Sequence, residues 1–132
     1  MSAQPNASSA WFKKAEGALF GADAIYKSSS SSSPHWDLVL FLAHEAIEKY
    51  LKGCLTAQRI AIPKTHDLLA LLQLCAPLLP ELLQLEADLD EADRLYVSSR
   101  YPGMRDISES HANKAMETAR RVESVALQRF AP

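Results

Sequence analysis

Arg105 and His111 are the pair whose residue types and spacing first suggest a reaction. Five residues separate them, downstream of Pro102-Gly103. The stretch feeds into a segment with helical apolar periodicity. A helix start leaves backbone N–H groups unpaired and carries the positive end of the dipole, so it favours phosphate. Arg105 adds a guanidinium fork that fits phosphate oxygens. A histidine in the first turns of such a helix has its imidazolium disfavoured, which suits general-base work near neutral pH. Such a pair can cut RNA without a metal. The histidine takes the 2′-hydroxyl proton, and the arginine stabilises charge developing on phosphorus. Just upstream, Arg100 offers another phosphate contact and Tyr101 a ring on which a base stacks. The purely structural alternative pairs Arg105 with Asp106 or Glu109 and packs His111 beside the apolar stripe.

A second constellation is His44, Glu48 and Lys52, at i, i+4 and i+8 of one helical stripe. Glu45 and Lys49 form an i,i+4 pair beside it, with the acid on the favoured N-terminal side. One reading is a solvated face laced with ion pairs. The other follows from position, since a polar stripe on a central helix faces another helix or a subunit. His44, Glu48 and Lys52 are therefore expected at the floor of a nucleotide- or RNA-binding cleft or in a dimer contact. Two acids and two lysines do not make a metal site, so no metal and no cofactor are expected. A third group, Thr65-His66-Asp67-Leu68, reads as a helix start with Thr65 as N-cap.

The elements that must position these residues are helical. Steps of three and four predict helices over 10–27, from 34–37 to about 60, over 66–75, over 81–98 and over 108–130. The first half of the second, DLVLFLAHEAI, is apolar almost all round, which makes it the central helix. Asp106 and Glu109 have capping-box spacing at the last start. The six serines at 28–33, closed by Pro34, read as a solvated loop. Residues 10–131 are expected to form a single domain, with 1–9 a disordered N-terminus. No segment alternates as a strand would. The fold class is all-α: four long helices and one short helix in the second connection, an up-down bundle.

Composition removes several function classes. The 132 residues suit one domain, and 48% apolar with 23% charged is ordinary for a folded chain. A formal charge of −2 excludes binding nucleic acid through bulk positive charge. Cys54 and Cys75 form no CxxC and have no zinc spacing, so they read as core residues in a reducing compartment. The longest apolar run, 38–43, is far short of the ~20 residues of a membrane span. No secretory leader is visible, so the expected location is the cytoplasm.

Phe41, His44, Ala46, Glu48, Lys49 and Lys52 on the central helix resemble the pattern of the HEPN domain family (higher eukaryotes and prokaryotes nucleotide-binding). So do Thr65-His66-Asp67-Leu68 and Ser99-Arg100-Tyr101-Pro102 further along. The resemblance runs from about Trp11 to Phe130. It implies a four- to five-helix bundle, HEPN-like, that forms a homodimer. It implies binding of nucleotide or RNA, and a small nucleotidyltransferase partner in a toxin–antitoxin-type two-component system. A subset of that family are metal-independent endoribonucleases carrying Arg, a polar residue and then His. Carried over, Arg105 is the phosphate-stabilising residue and His111 the acid/base, facing a second set across a dimer cleft. The alternative from another class is a non-catalytic helical protein-interaction module.

Overall fold

The structure, a computed structural model, describes residues 7–131. Among these there are five α-helices and no strand: α1 Ala7–Ser28, α2 Trp36–Ala57, α3 Leu68–Cys75, α4 Glu86–Arg100 and α5 Glu109–Phe130. The short α3 lies in the second long connection, so the all-α expectation holds. A 3-10 turn, Pro80–Leu85, precedes α4.

α2 packs against all four other helices. Val39, Leu40, Ala43, Ile47, Leu51 and Leu55 are each wholly buried along it. This is why its apolar residues run nearly all round the helix rather than in one stripe. α1 lies close against α2 because Gly53 has no side chain. A Cβ at Gly53 would stand 2.5 Å from the Phe12 ring and 3.1 Å from Trp11 Cβ. Cys54 and Cys75 are free and buried. Burial pushes the Cys75 thiol up to about 12 and raises that of Cys54 as well, so both are inert packing groups.

Several boundaries differ from the periodicity, each for a local reason. α1 begins at Ala7, and Ser8 is already buried. Residues 7–9 are therefore helix rather than a disordered tail, and residues 1–6 lie outside the described residues. α2 stops at Ala57, short of 60. Arg59 turns to φ 59° there, and the Ile60 N–H reaches the Leu55 carbonyl while the Arg59 N–H reaches Thr56. That is a Schellman ending. α4 begins at Glu86 because Pro80 opens a tighter turn first. Asp67, not Thr65, caps α3 by accepting from the Leu69 and Ala70 N–H groups. Thr65 Oγ1 instead accepts from the Asp67 N–H.

The connection between α4 and α5 carries the Arg105 loop. Tyr101 turns to extended backbone after Arg100. Gly103 then takes φ 79°, a left-handed conformation that favours glycine. No helix among the described residues is long and apolar enough to cross a membrane.

Candidate functional site

Three elements bring a polar cluster together inside the bundle. α2 contributes His44, Glu45, Glu48, Lys49 and Lys52. α4 contributes Asp93, Tyr96 and Arg100. The turn before α3 contributes His66. His44, Glu48 and Lys52 are 0%, 3% and 8% exposed. Charges this deep persist only when paired. Lys52 Nζ donates to Glu48 Oε2 at 2.9 Å, and His66 Nδ1 lies 2.8 Å from Glu48 Oε1. Lys49 donates to Glu45 Oε2 at 2.7 Å, and the Tyr96 hydroxyl donates to Glu45 Oε1 at 3.2 Å.

Asp93 ties this cluster to α3. Its carboxylate accepts from His44 Nε2 at 2.9 Å and from the backbone N–H groups of Leu68 and Leu69 at 3.1 and 3.3 Å. It thereby satisfies two unpaired donors at the start of α3, beside the Asp67 cap. Burial pushes the pKa of the Asp93 carboxyl up, but the His44 and Leu68 hydrogen bonds outweigh it. The group titrates below the usual carboxylate range. An ionised carboxylate only accepts, so His44 Nε2 carries a proton. Among the described residues no group hydrogen-bonds the buried Nδ1. The Tyr96 ring covers His44 at 3.8 Å, nearly parallel, and stacks on Phe41 at 5.6 Å. Burial, then the Glu45 charge, push the Tyr96 phenol up to about 12, so it remains a donor.

Above this floor lies an open groove of about 620 Å³, lined by His66, Asp93, Arg94, Tyr96, Arg100 and Tyr101 among others. The Arg100 guanidinium sits 5.4 Å from the Tyr96 ring and 5.6 Å from the Tyr101 ring. Cation–π contact holds it there, and no carboxylate pairs with it among the described residues. Tyr101 is 55% exposed. It also lines a second cavity, of about 650 Å³, over the Pro102–Ser108 loop. That second lining is mixed in sign, since Asp37, Asp106 and Glu109 share it with Arg105.

Arg105 and His111 meet at the start of α5. A guanidinium nitrogen of Arg105 lies 3.4 Å from His111 Nε2. Ser108 caps α5 through its hydroxyl, which accepts from the His111 N–H at 3.1 Å. In return the Ser108 N–H donates to His111 Nδ1, also at 3.1 Å. The capping box is therefore Ser108 with His111, and the Asp106–Glu109 box expected from spacing does not form. Glu109 accepts from the Tyr26 hydroxyl instead.

The capping box decides which face of His111 is presented. Its Nδ1 lone pair is taken by Ser108, so Nε2 carries the proton. A neutral ring cannot accept at both nitrogens, so the shorter Ser108 cap bond and the 3.4 Å Arg105 contact compete for the tautomer; with the cap held, the imidazole N–H and the guanidinium are both donors. One shared acceptor, such as a phosphate oxygen, satisfies both. No carboxylate pairs with Arg105 among the described residues, so the pairing with Asp106 or Glu109 weighed from sequence is not made.

The structure thus divides the sequence-derived residues. Arg105 is drawn to His111, and Arg100 to Tyr101. His44, Glu48 and Lys52 lie beneath Tyr96 and His66 rather than on the surface. Sequence reasoning missed Asp93 and the ring role of Tyr96. One signal was present: Leu89, Ala92, Asp93 and Tyr96 share one helical face, and an acid on an apolar face needs a buried partner.

The HEPN domain family model matches residues 8–129. A solved structure of an archaeal HEPN homologue is 26% identical, with a TM-score of 0.69, and covers 92% of this chain and 96% of its own. No curated protein matches the sequence.

Proposed function

The chain belongs to the HEPN family, and on that premise we propose that it binds the phosphates of a nucleotide or RNA at the Arg105–His111 end of the bundle. The observation that carries this reading is the 3.4 Å approach of the Arg105 guanidinium to His111 Nε2, with no carboxylate paired to Arg105 among the described residues. A phosphate oxygen bridging them gains two charge-assisted hydrogen bonds. Arg100, in the neighbouring groove that shares Tyr101, adds a second guanidinium. Tyr101, on the surface between the two cavities, offers its ring to a base. With a net charge of −2, affinity rests on these local groups, so it falls as salt screens them.

A second reading, metal-independent endoribonuclease, is favoured by the same pair. The guanidinium is placed to stabilise charge on phosphorus. The imidazole presents Nε2–H outward, so its first role is donation to phosphate or, once protonated, to the leaving oxygen. To take the 2′-hydroxyl proton it must release Nδ1 from the Ser108 N–H or exchange tautomer. Either costs about one cap hydrogen bond, roughly 1 kcal/mol.

The same proposal extends to assembly. A homodimer would set two such sites against each other, and Val97, Tyr101 and Met104 supply exposed apolar surface beside them. A small nucleotidyltransferase, in a toxin–antitoxin-type pair, is the partner implied by resemblance to the family. Fluorescence anisotropy with a labelled single-stranded RNA and with ATP tests the ligand reading. Binding that weakens on Arg105→Ala supports it. No binding of either probe, with the fold intact, supports the interaction-module alternative.

A further inference from the structure

We propose that His44, Glu45 and Glu48 form a site for one divalent transition-metal ion of the zinc class, a site independent of the phosphate reading above. Each of the three offers a ligand atom, and these atoms lie within 4.8 Å of one another. His44 Nε2 is held by Asp93 at 2.9 Å, so Nδ1 is the nitrogen left to bind. That Nδ1 is buried with no hydrogen-bond partner among the described residues. In the neutral ring it is a lone pair, costly to withdraw from water without a partner, and a bound cation relieves that cost.

The surroundings match what a metal site requires one shell out. Ligating histidines commonly give their other ring N–H to a carboxylate, which fixes tautomer and ring orientation. Asp93 does this for His44, and the Tyr96 ring at 3.8 Å holds the imidazole plane. Ligating carboxylates are in turn hydrogen-bonded. Glu45 is held by Lys49 and Tyr96, and Glu48 by Lys52 and His66. Each oxygen accepts one hydrogen bond and keeps a second lone pair.

One nitrogen and two oxygens suit zinc and its first-row neighbours better than calcium or magnesium, which prefer oxygen alone. Ligand atoms about 2.1 Å from an ion lie roughly 3.4 Å apart in a tetrahedron, so the three groups must draw together on binding. Glu45 and Lys49 reach the surface, with side chains 21% and 24% exposed, and give an ion its entry path. The spacing of two acids and two lysines argues against a metal. The orphaned nitrogen, visible only in the folded chain, reverses that reading.

The test uses the full chain after dialysis against a chelator. Co2+ is titrated by visible absorption and Zn2+ by calorimetry, and 15N-histidine spectra follow the His44 ring. The expected result is one ion per chain, a Zn2+-dependent shift of the His44 Nδ1 resonance, and at least tenfold weaker binding in Glu45→Gln and in Glu48→Gln. Two acid variants are used because His44→Ala leaves Asp93 unpaired and endangers the fold. No binding at millimolar Zn2+, or binding that both Gln variants retain, would overturn the proposal and leave a proton or water as the Nδ1 partner. The phosphate reading would survive that outcome, since it is read by RNA binding in the presence of chelator.

Discussion

Ser108 and His111 cap each other: the Ser108 hydroxyl accepts from the His111 backbone, and the His111 ring accepts from the Ser108 backbone, both at 3.1 Å. The cap that starts α5 therefore also sets the tautomer of the histidine beside Arg105. Ser108→Ala should cost about 1 kcal/mol of stability, the usual price of an N-cap. The Ser108 backbone N–H that bonds Nδ1 survives in this variant, so 15N-histidine spectra should still show the ring as Nε2–H. Mixed tautomers in the variant would show that the hydroxyl, not the backbone N–H, holds the ring.

Asp93→Ala should destabilise the chain by roughly 2–4 kcal/mol, read from urea unfolding. The loss leaves His44 Nε2 and the Leu68 and Leu69 N–H groups without their acceptor. A loss below 0.5 kcal/mol, the range of an ordinary surface change, would mean the tie between α4 and α3 carries no weight.

Acid sensitivity follows from the same residue. Burial raises, but the bonds of His44 and Leu68 to Asp93, and of Lys49 and Tyr96 to Glu45, more than offset it. Both carboxyls end below their ordinary values of 3.8 and 4.5. A depressed carboxyl contributes stability above its unfolded value and loses it as pH falls through the folded one. Unfolding midpoints should hold from pH 7 to about 5 and drop below about 4. Asp93→Asn should begin lower and fall less steeply. An equally steep fall in that variant would assign the acid transition elsewhere.

Gly53→Ala probes the α1–α2 contact. Its Cβ would meet Phe12 ring carbons at 2.5 and 2.7 Å, so the helices must part or the ring must turn. Overpacking of this kind costs about 1–3 kcal/mol. Thermal unfolding should show the loss, and unchanged stability would mean α1 moves aside freely.

Much of the fold was legible in the sequence because a bundle writes itself as 3.6-residue periodicity. The central place of α2, the short helix in the second connection and the loop at Pro102-Gly103 were all readable from it. Boundaries were less so. The α2 ending depends on Arg59 entering a left-handed conformation, which no pattern of apolar residues records. The α3 cap went to Asp67 because its carboxylate reaches two N–H groups, while Thr65 bonds only the next turn of chain. Of the site, Arg105 and His111 were legible because they are near in sequence. Asp93 and His66 were not, since their partners His44 and Glu48 lie 49 and 18 residues away.

Arg100→Ala and Tyr101→Ala separate the two contributions to the site. Removing one phosphate-binding arginine should weaken RNA binding several-fold and lower the salt dependence by about one charge. Removing the ring should weaken binding at all salt concentrations alike, by the about 1–3 kcal/mol of a stacked base. If the Tyr101 variant instead changed only the salt slope, stacking on that ring would be excluded.

The most direct measurement is titration of a labelled single-stranded RNA in EDTA, with anisotropy for binding and gel analysis for cleavage. Wild type, Arg105→Ala and His111→Ala are compared, each shown folded by circular dichroism. The account predicts salt-dependent binding by wild type that falls about tenfold, or about 1.4 kcal/mol, in Arg105→Ala. Any cleavage by wild type should disappear in both variants. Binding of equal strength in wild type and Arg105→Ala would contradict the account.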